Sequence, residues 1–301
     1  MPEYNKYNNN QRGQLGKPRD GRPNRPRYTP QHQDAPVYIE SGNLGLLYTR
    51  RYFEDISVEM VDNPKGKEAE DYYREHNDNI IAQSKVTISQ TEDPSLPEGV
   101  ANCNFKLTTC YPGLITGTGI SHSSGQKNEA KLGLSFDHTT GLPFIPGSSV
   151  KGLLRSVFPG PRKENEKERC DFIREKMGKT LSDDEIKRLC VAIFGSDNKD
   201  KDSHIQGCDI FFDAFPVGSK NGLLDMDYIT PHKDEFSDPT PIQFMRIKPE
   251  VTFRFSFKLI STKLSETVII GTDDKEKLFK AILTTVGIGA KTNVGYGQLK
   301  A

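Results

Sequence analysis

The chain has 301 residues, with 41 Lys and Arg balanced by 41 Asp and Glu, and five cysteines. No apolar run is long enough to span a bilayer and no signal peptide opens the chain. No two cysteines lie two to four apart, so no zinc knuckle is written, and the odd, scattered set suits a reducing cytosol. The expectation is a soluble cytoplasmic protein of one large or two small domains.

The charge is unevenly spread. Residues 1–36 carry seven basic and three acidic residues among Asn, Gln, Pro and Gly, with almost no aliphatics. Such a segment cannot offset its ordering entropy by burial, so a disordered basic tail is expected there. Its "RDGRPNRPR" core either touches RNA phosphates or is simply solvated. A single domain over 37–301 follows, with insertions at about 159–200 and 216–246. Residues 40–57 suggest a short helix, and 61–100 read as loop plus helix fragments.

From residue 102 a regular order emerges. "NCNFKLTTC" (102–110) has strand composition. "SSVKGLLRSVF" (148–158) places Val150, Leu153, Leu154, Val157 and Phe158 at helical spacing. Across 159–200, Ser182 and Glu185 form a capping box. Ile186, Leu189, Cys190, Ile193 and Phe194 line one helical face there, and Gly195 ends it. "CDIFFDAFPV" (208–217) reads as a buried strand, and "PIQFMRI" as a possible extra one in a Pro-rich loop. In "VTFRFSFKLI" (251–260), Val251, Phe253, Phe255, Phe257 and Leu259 alternate with polar residues, the pattern of a half-buried strand. "DKEKLFKAILTTV" (274–286) is helical, with Asp273 and Glu276 at capping-box spacing, and "VGYGQLK" (294–300) closes as a strand. Strand, helix, strand, strand, helix, strand is the split βαβ order. An α+β, ferredoxin-like (RRM-like) fold is expected, with helices on one sheet face and the other open, the face on which RNA-recognition domains read RNA.

Three stretches carry candidate chemistry. In "GLPFIPGSSVKGLLRS" (141–156), Gly147 leads into a helix with Ser148 as N-cap and Ser149 behind it. Ser148, Lys151 and Arg155 share a stripe. Free N–H groups, a hydroxyl and two cations make a phosphate seat; a capped amphipathic helix with a solvated basic flank is equally compatible. In "TTVGIGAKTNVGYGQL" (284–299), Gly287, Gly289, Gly295 and Gly297 surround Lys291, Thr292 and Asn293. This is not a nucleotide P-loop: Ala290 occupies the glycine slot before the Lys, and the glycines follow a helix rather than a strand. A glycine-rich loop remains, one that a sugar-phosphate chain can approach closely, with Tyr296 placed to stack on a base; a tight turn is the plainer reading. In "YPGLITGTGISHSSG" (111–125), Thr118 and His122 sit on a loop. His122 suits RNA contact, or acid–base work in RNA cleavage.

Together, "LITGTGISH", "LSFDHTTGLPFIPGSSVKG" and "GIGAKTNVGYGQL" resemble the RAMP superfamily of CRISPR RNA-binding proteins, and within it the sixth Cmr subunits of type III-B effector complexes, over roughly residues 100–160 and 280–300. "NLGLLYTRRY" (43–52) also suits those subunits. The resemblance implies a cofactor-free, non-catalytic subunit that caps the backbone filament near the 3′ side of the guide RNA. It implies contact with guide and target RNA, with the repeated backbone RAMP subunit, with the small helical subunit and with the first Cmr subunit. Cleavage in the repeated backbone subunit is attributed to an Asp on its first-strand loop. Here residues between Cys110 and Gln126 include no Asp or Glu, in keeping with a role without catalysis. The alternatives are a RAMP-type endoribonuclease that processes guide RNA, a type III-A backbone subunit, and a protein-interaction scaffold. On the leading reading, Ser148, Lys151 and Arg155 meet Lys291, Thr292, Asn293 and Tyr296 along one RNA strand.

Overall fold

A computed structural model describes residues 42–63, 66–90, 96–117, 128–130, 134–160, 164–196, 204–230 and 241–301. Two of the candidate residues, Thr118 and His122, and the basic tail lie outside these. The described chain opens with helices Leu44–Thr49 (α1), Val58–Asp62 (α2) and Lys67–Gln90 (α3). Asn43 caps the first through its side chain, which accepts from the Leu46 N–H at 2.9 Å.

The 24-residue α3 corrects the expectation of loop and helix fragments over 61–100. Its buried stripe is Ala69, Tyr73, Asn77, Ile80 and Ser84, a helical spacing with two polar members. Both polar members are satisfied. Asn77 accepts from the Tyr52 hydroxyl at 2.8 Å and donates to the Asn128 carbonyl. Ser84 Oγ accepts from the N–H groups of Leu223 and Leu224 at 3.2 Å. A scan for apolar periodicity alone passes over such a helix.

The sheet follows: Cys103–Thr109 (β1); helices Gly147–Val157 (α4), Glu166–Met177 (α5) and Asp183–Phe194 (α6); strands Ile210–Phe211 (β2), Phe215–Ser219 (β3), Leu224–Ile229 (β4), Ile242–Ile247 (β5), Val251–Lys258 (β6), Thr262–Lys263 (β7) and Ile269–Ile270 (β8); helix Thr272–Val286 (α7); and Leu299–Lys300 (β9). The architecture is α+β with antiparallel pairing. The main sheet runs β2-β6-β1-β9, with β3 continuing the β2 edge of β6. A separate hairpin pairs β4 with β5, and a shorter one pairs β7 with β8.

Strand β6 is the centre, and its alternation is as expected: Val251, Phe253, Phe255, Phe257 and Leu259 are all buried. They meet Cys103, Phe105 and Leu107 of β1 across the register. The α7 face of Leu278, Phe279, Ile282 and Leu283 covers the same side, with the Phe257 and Phe279 rings 5.4 Å apart. The Ser182/Glu185 capping box of α6 is present, its apolar face is buried, Cys190 included, and Gly195 ends it at φ +94°. Among the described residues no helix is long and apolar enough to cross a membrane.

Four further expectations change. The run 208–217 is two strands, not one: four steps from Phe211 to Phe215 face three from Phe257 to Arg254, so one extra residue bulges out. The segment 216–246, expected as an insertion, contains β4 as well as the expected strand β5. The cap of α7 lies two residues earlier than expected, where Asp274 accepts from the Gly271 N–H at 3.0 Å. Finally, only Leu299–Lys300 of the closing segment pairs as strand. Gly295 and Gly297 at φ +94° and +76° cannot lie in an extended ladder.

One ion pair holds this frame. Lys275 of α7 is fully buried, with Nζ 2.6 Å from Asp209 Oδ2 and 2.6 Å from the Ile260 carbonyl. The other Asp209 oxygen accepts from the Ile260 N–H at 2.9 Å. Removing one partner strands a buried charge, so Lys275→Met should destabilise the protein by about 3–5 kcal/mol. Adding Asp209→Asn should recover part of that loss. Chemical denaturation of the two variants measures both, and a single variant as stable as wild type would sink the idea.

Candidate nucleic-acid interface

Helix α4 was expected to offer a phosphate seat, and its start is already filled from within the chain. Gly147 N–H donates to Asp213 Oδ1 at 2.7 Å. The N–H groups of Ser149 and Val150 bond to the Pro146 carbonyl at 2.8 and 3.1 Å. Pro146, not Ser148, is the capping position, and Ser148 lies inside the first turn without a side-chain cap bond. A carboxylate at a helix N-terminus is favoured by the same dipole that would attract a phosphate. Gly147 is required because a Cβ there would stand 2.3 Å from the Phe211 carbonyl. Asp213 reaches it from the bulge between β2 and β3.

The two cations of α4 also have internal work. Arg155 donates to the Gly195 carbonyl at 3.1 Å, tying α4 to the end of α6. Half-buried Lys151 holds its ammonium 5.9 Å from the centre of the Phe211 ring. Ser148, Ser149, Gly152 and Ser156 are exposed along one side of the helix, and a Cβ at Gly152 would meet nothing within 4 Å.

The glycine-rich loop is folded against its own chain. A Cβ at Gly289 would lie 2.3 Å from the Ile115 carbonyl, and one at Gly297 1.8 Å from that of Ile288. Backbone bonds then join three segments. Ala290 N–H reaches Ile115 O at 2.9 Å, Gly297 N–H reaches Gly113 O at 2.7 Å, and Leu114 exchanges both bonds with Ile247 at the end of β5. The outer arc of this clamp carries half-buried Lys291 and Thr292 and exposed Asn293, with Lys291 in the left-handed region at φ +60°.

Tyr296 anchors the arc and does not present a ring for stacking. Its side chain is 6% exposed, its ring meets Phe244 edge-on at 5.9 Å, and its hydroxyl donates to Asp227 Oδ2 at 2.5 Å. Burial first, and then the Asp227 carboxylate, push the phenol up to about 12. Arg246 completes the cluster, 3.0 Å from Asp227 and 3.6 Å from Asp225, and donates to the Pro112 carbonyl. Asp213, Asp227 and Arg246 went unnoticed as site residues in the sequence. The bond from Gly147 to Asp213 spans 66 positions and that from Tyr296 to Asp227 spans 69; no local spacing marks either.

The two expected halves of the site lie apart. The start of α4 sits by Phe211–Asp213 on the β2 edge, while the glycine loop follows the Thr109 end of β1 beside β9. Three strand spacings, about 14 Å, separate those edges.

The RAMP superfamily model matches residues 106–300. A CRISPR system CMR subunit Cmr6 from Saccharolobus solfataricus is 31% identical over 198 residues, covering 64% of this chain and 55% of that protein. A CRISPR system Cmr subunit Cmr6 from Pyrococcus furiosus is 26% identical over 212 residues, covering 53% of this chain and 58% of its own. The chain thus spans little more than half the length of these relatives. Among solved structures, the type III-B Cmr-β complex bound to cognate target RNA contains a chain 27% identical, with a TM-score of 0.41, over 65% of this chain and 57% of that one. The crystal structure of Cmr6 from Pyrococcus furiosus is 22% identical, also with a TM-score of 0.41, over 65% and 95%.

The Tyr296 anchor is testable by itself. Tyr296→Phe should destabilise the protein by about 1–2 kcal/mol, since a hydrogen bond to a carboxylate is lost. A phenol held up to about 12 against an ordinary 10.0 keeps its proton in the folded state after the unfolded state has released it. Its contribution is therefore full below pH 10 and fades as the pH rises toward 12. Denaturation at pH 9 and pH 11 should show the gap between wild type and variant narrowing; a constant gap would separate the hydroxyl from the titration.

Proposed function

This chain belongs to the RAMP superfamily, and from that footing we propose that it is a non-catalytic, RNA-binding subunit of a type III-B CRISPR effector complex, working in the cytoplasm. It would cap the backbone near the 3′ side of the guide RNA and contact guide and target RNA. Its protein neighbours would be the repeated backbone RAMP subunit, the small helical subunit and the first Cmr subunit. The Cmr6 relatives support this reading. So does the strand order β2-β6-β1-β9, which we read as the ferredoxin-like split βαβ arrangement with α4 and α7 as its helices.

The observation that carries RNA contact is the clamped glycine loop. Backbone bonds on both sides fix the arc, so Lys291, Thr292 and Asn293 are held in place before any ligand arrives. Preorganised donors lose little entropy on binding, and an ammonium with two neighbouring polar side chains suits a phosphodiester. Ser148, Ser149 and Lys151 would line a separate contact on α4. Gly147, Arg155, Gly289 and Tyr296 would act beneath the surface, as supports. Without an Asp or Glu between Cys110 and Gln126, the loop after β1 would position RNA and not cut it.

Chain tagged and recovered from its host should bring short guide RNAs and further RAMP subunits. Recovery alone, with cleavage of repeat RNA that depends on His122, would replace this reading with a processing nuclease. In the recovered complex, Lys291→Ala should flatten the plot of log affinity against log salt by about one unit. An unchanged slope would remove Lys291 from the phosphate contacts.

A further inference from the structure

We infer, on the RNA-binding reading above, that Tyr111 is the stacking platform for one base of a bound RNA single strand, set beside the phosphate contact at Lys291. Its ring takes the role expected of Tyr296, which is turned inward.

Exposure singles the residue out. Tyr111 is 81% exposed, the most open large apolar side chain among the described residues. Apolar side chains scattered over a surface are ordinary, but the backbone around this one is pinned on both sides. The Cys110 N–H donates to the Gln298 carbonyl at 2.8 Å, and the Gly113 carbonyl accepts from Gly297 at 2.7 Å. Between them, the Pro112 carbonyl accepts from Arg246. The same guanidinium lies 3.0 Å from Asp227, which holds the Tyr296 hydroxyl. One cluster therefore fastens the Tyr111 segment and the glycine loop to each other.

The two meet closely. A Cβ on Gly295 would stand 3.5 Å from Cδ of Pro112. Lys291 lies one tight turn back from Gly295: the Val294 N–H bonds to the Lys291 carbonyl and the Gly295 N–H to that of Thr292, both at 3.1 Å. After burial and Asp227, the Tyr111 hydroxyl adds to the upward push on the Tyr296 phenol, which sets its ring on the side of the loop. Val294 on the arc, 66% exposed, extends the apolar surface. Asp225 and Asp227 are paired with Arg246, and Glu250 with Lys300 at 2.6 Å, so these carboxylates set no bare negative charge against a phosphate. A fixed ring beside a fixed cation is how single strands are held without sequence preference, because every base has a π-face. A tyrosine gives up only two side-chain torsions in doing so.

The chain contains no Trp, so Tyr111→Trp gives the full chain a single fluorescent reporter at the platform. Titration with single-stranded oligouridine at low salt should quench it. Polyphosphate, which carries the charges without the bases, should bind without quenching. Tyr111→Leu should weaken oligouridine binding about tenfold with the salt slope unchanged, and Tyr111→Phe should bind as wild type. Equal quenching by polyphosphate would overturn the platform. So would a silent Tyr111→Leu with Lys291→Ala still flattening the slope, which leaves the RNA-binding reading standing. Wild-type chain without affinity for oligouridine at low salt would overturn both. Normal oligouridine binding by Tyr111→Leu, with loss of the other subunits on recovery from the host, would give Tyr111 to a protein neighbour and overturn the platform. Should the tryptophan disturb the fold, the Leu and Phe variants decide alone.

Discussion

The buried contact between Lys275 and Asp209 is the constraint on which the rest of the molecule depends. A charged pair with no exposed surface is tolerated only when its remaining hydrogen-bonding capacity is also met. Here Ile260 meets it twice, once with its carbonyl to Lys275 and once with its N–H to Asp209. Three segments distant in sequence are thereby joined: the first turn of α7, the residue before β2 and the exit of β6. Any register slip among them would leave a charge unpaired in the core. The pair therefore specifies alignment more than it supplies stability.

Fixing α7 in that way decides which face of the sheet is spent on folding. The phenylalanines of β6 and the apolar residues of β1 are taken up by α7 and α4, and the polar alternates are turned outward. It also delivers the end of α7 to the Thr109 end of β1, where the chain must turn back sharply. Gly287, Gly289, Gly295 and Gly297 answer that need, all at positive φ. Their bareness serves close approach between two stretches of this chain. The space expected for an RNA backbone is occupied by the carbonyls of Ile115 and Ile288. Function at this loop is left to the side chains on its outer arc.

What the sequence made legible was periodicity. Strand β6, helices α4 and α6 and the face of α7 all follow from apolar residues at spacing two or about three and a half, because local spacing determines which side chains share a face. What it hid falls into two kinds. Helix α3 was hidden because Asn77 and Ser84 replace apolar residues in its buried stripe, and their burial is licensed by partners elsewhere in the chain. The true occupants of the site were hidden because they are remote. Asp213 fills the seat that Ser148, Lys151 and Arg155 seemed to hold open, and Asp227 withdraws the ring of Tyr296. Glycine and Ser–Lys patterns announce that backbone and charge meet closely; they do not say whether the visitor is a ligand or another part of the same chain.

That ambiguity bears on where an RNA strand would lie under the proposed function. A helix start neutralised by Asp213 has lost much of its attraction for a second anion, since the positive end of the dipole is already met. Favourable contact must come from cations whose charge is not consumed in the fold. Arg246, held between Asp225 and Asp227, is consumed, and Arg155 is turned to the Gly195 carbonyl. Lys291 on the clamped loop and Lys106 and Lys258 on the open sheet are not in ion pairs among the described residues, and they lie on surfaces whose backbone is fixed by the sheet or by the glycine clamp. In a chain of zero net charge, affinity for a polyanion rests on such placed cations, because no overall field draws the strand in.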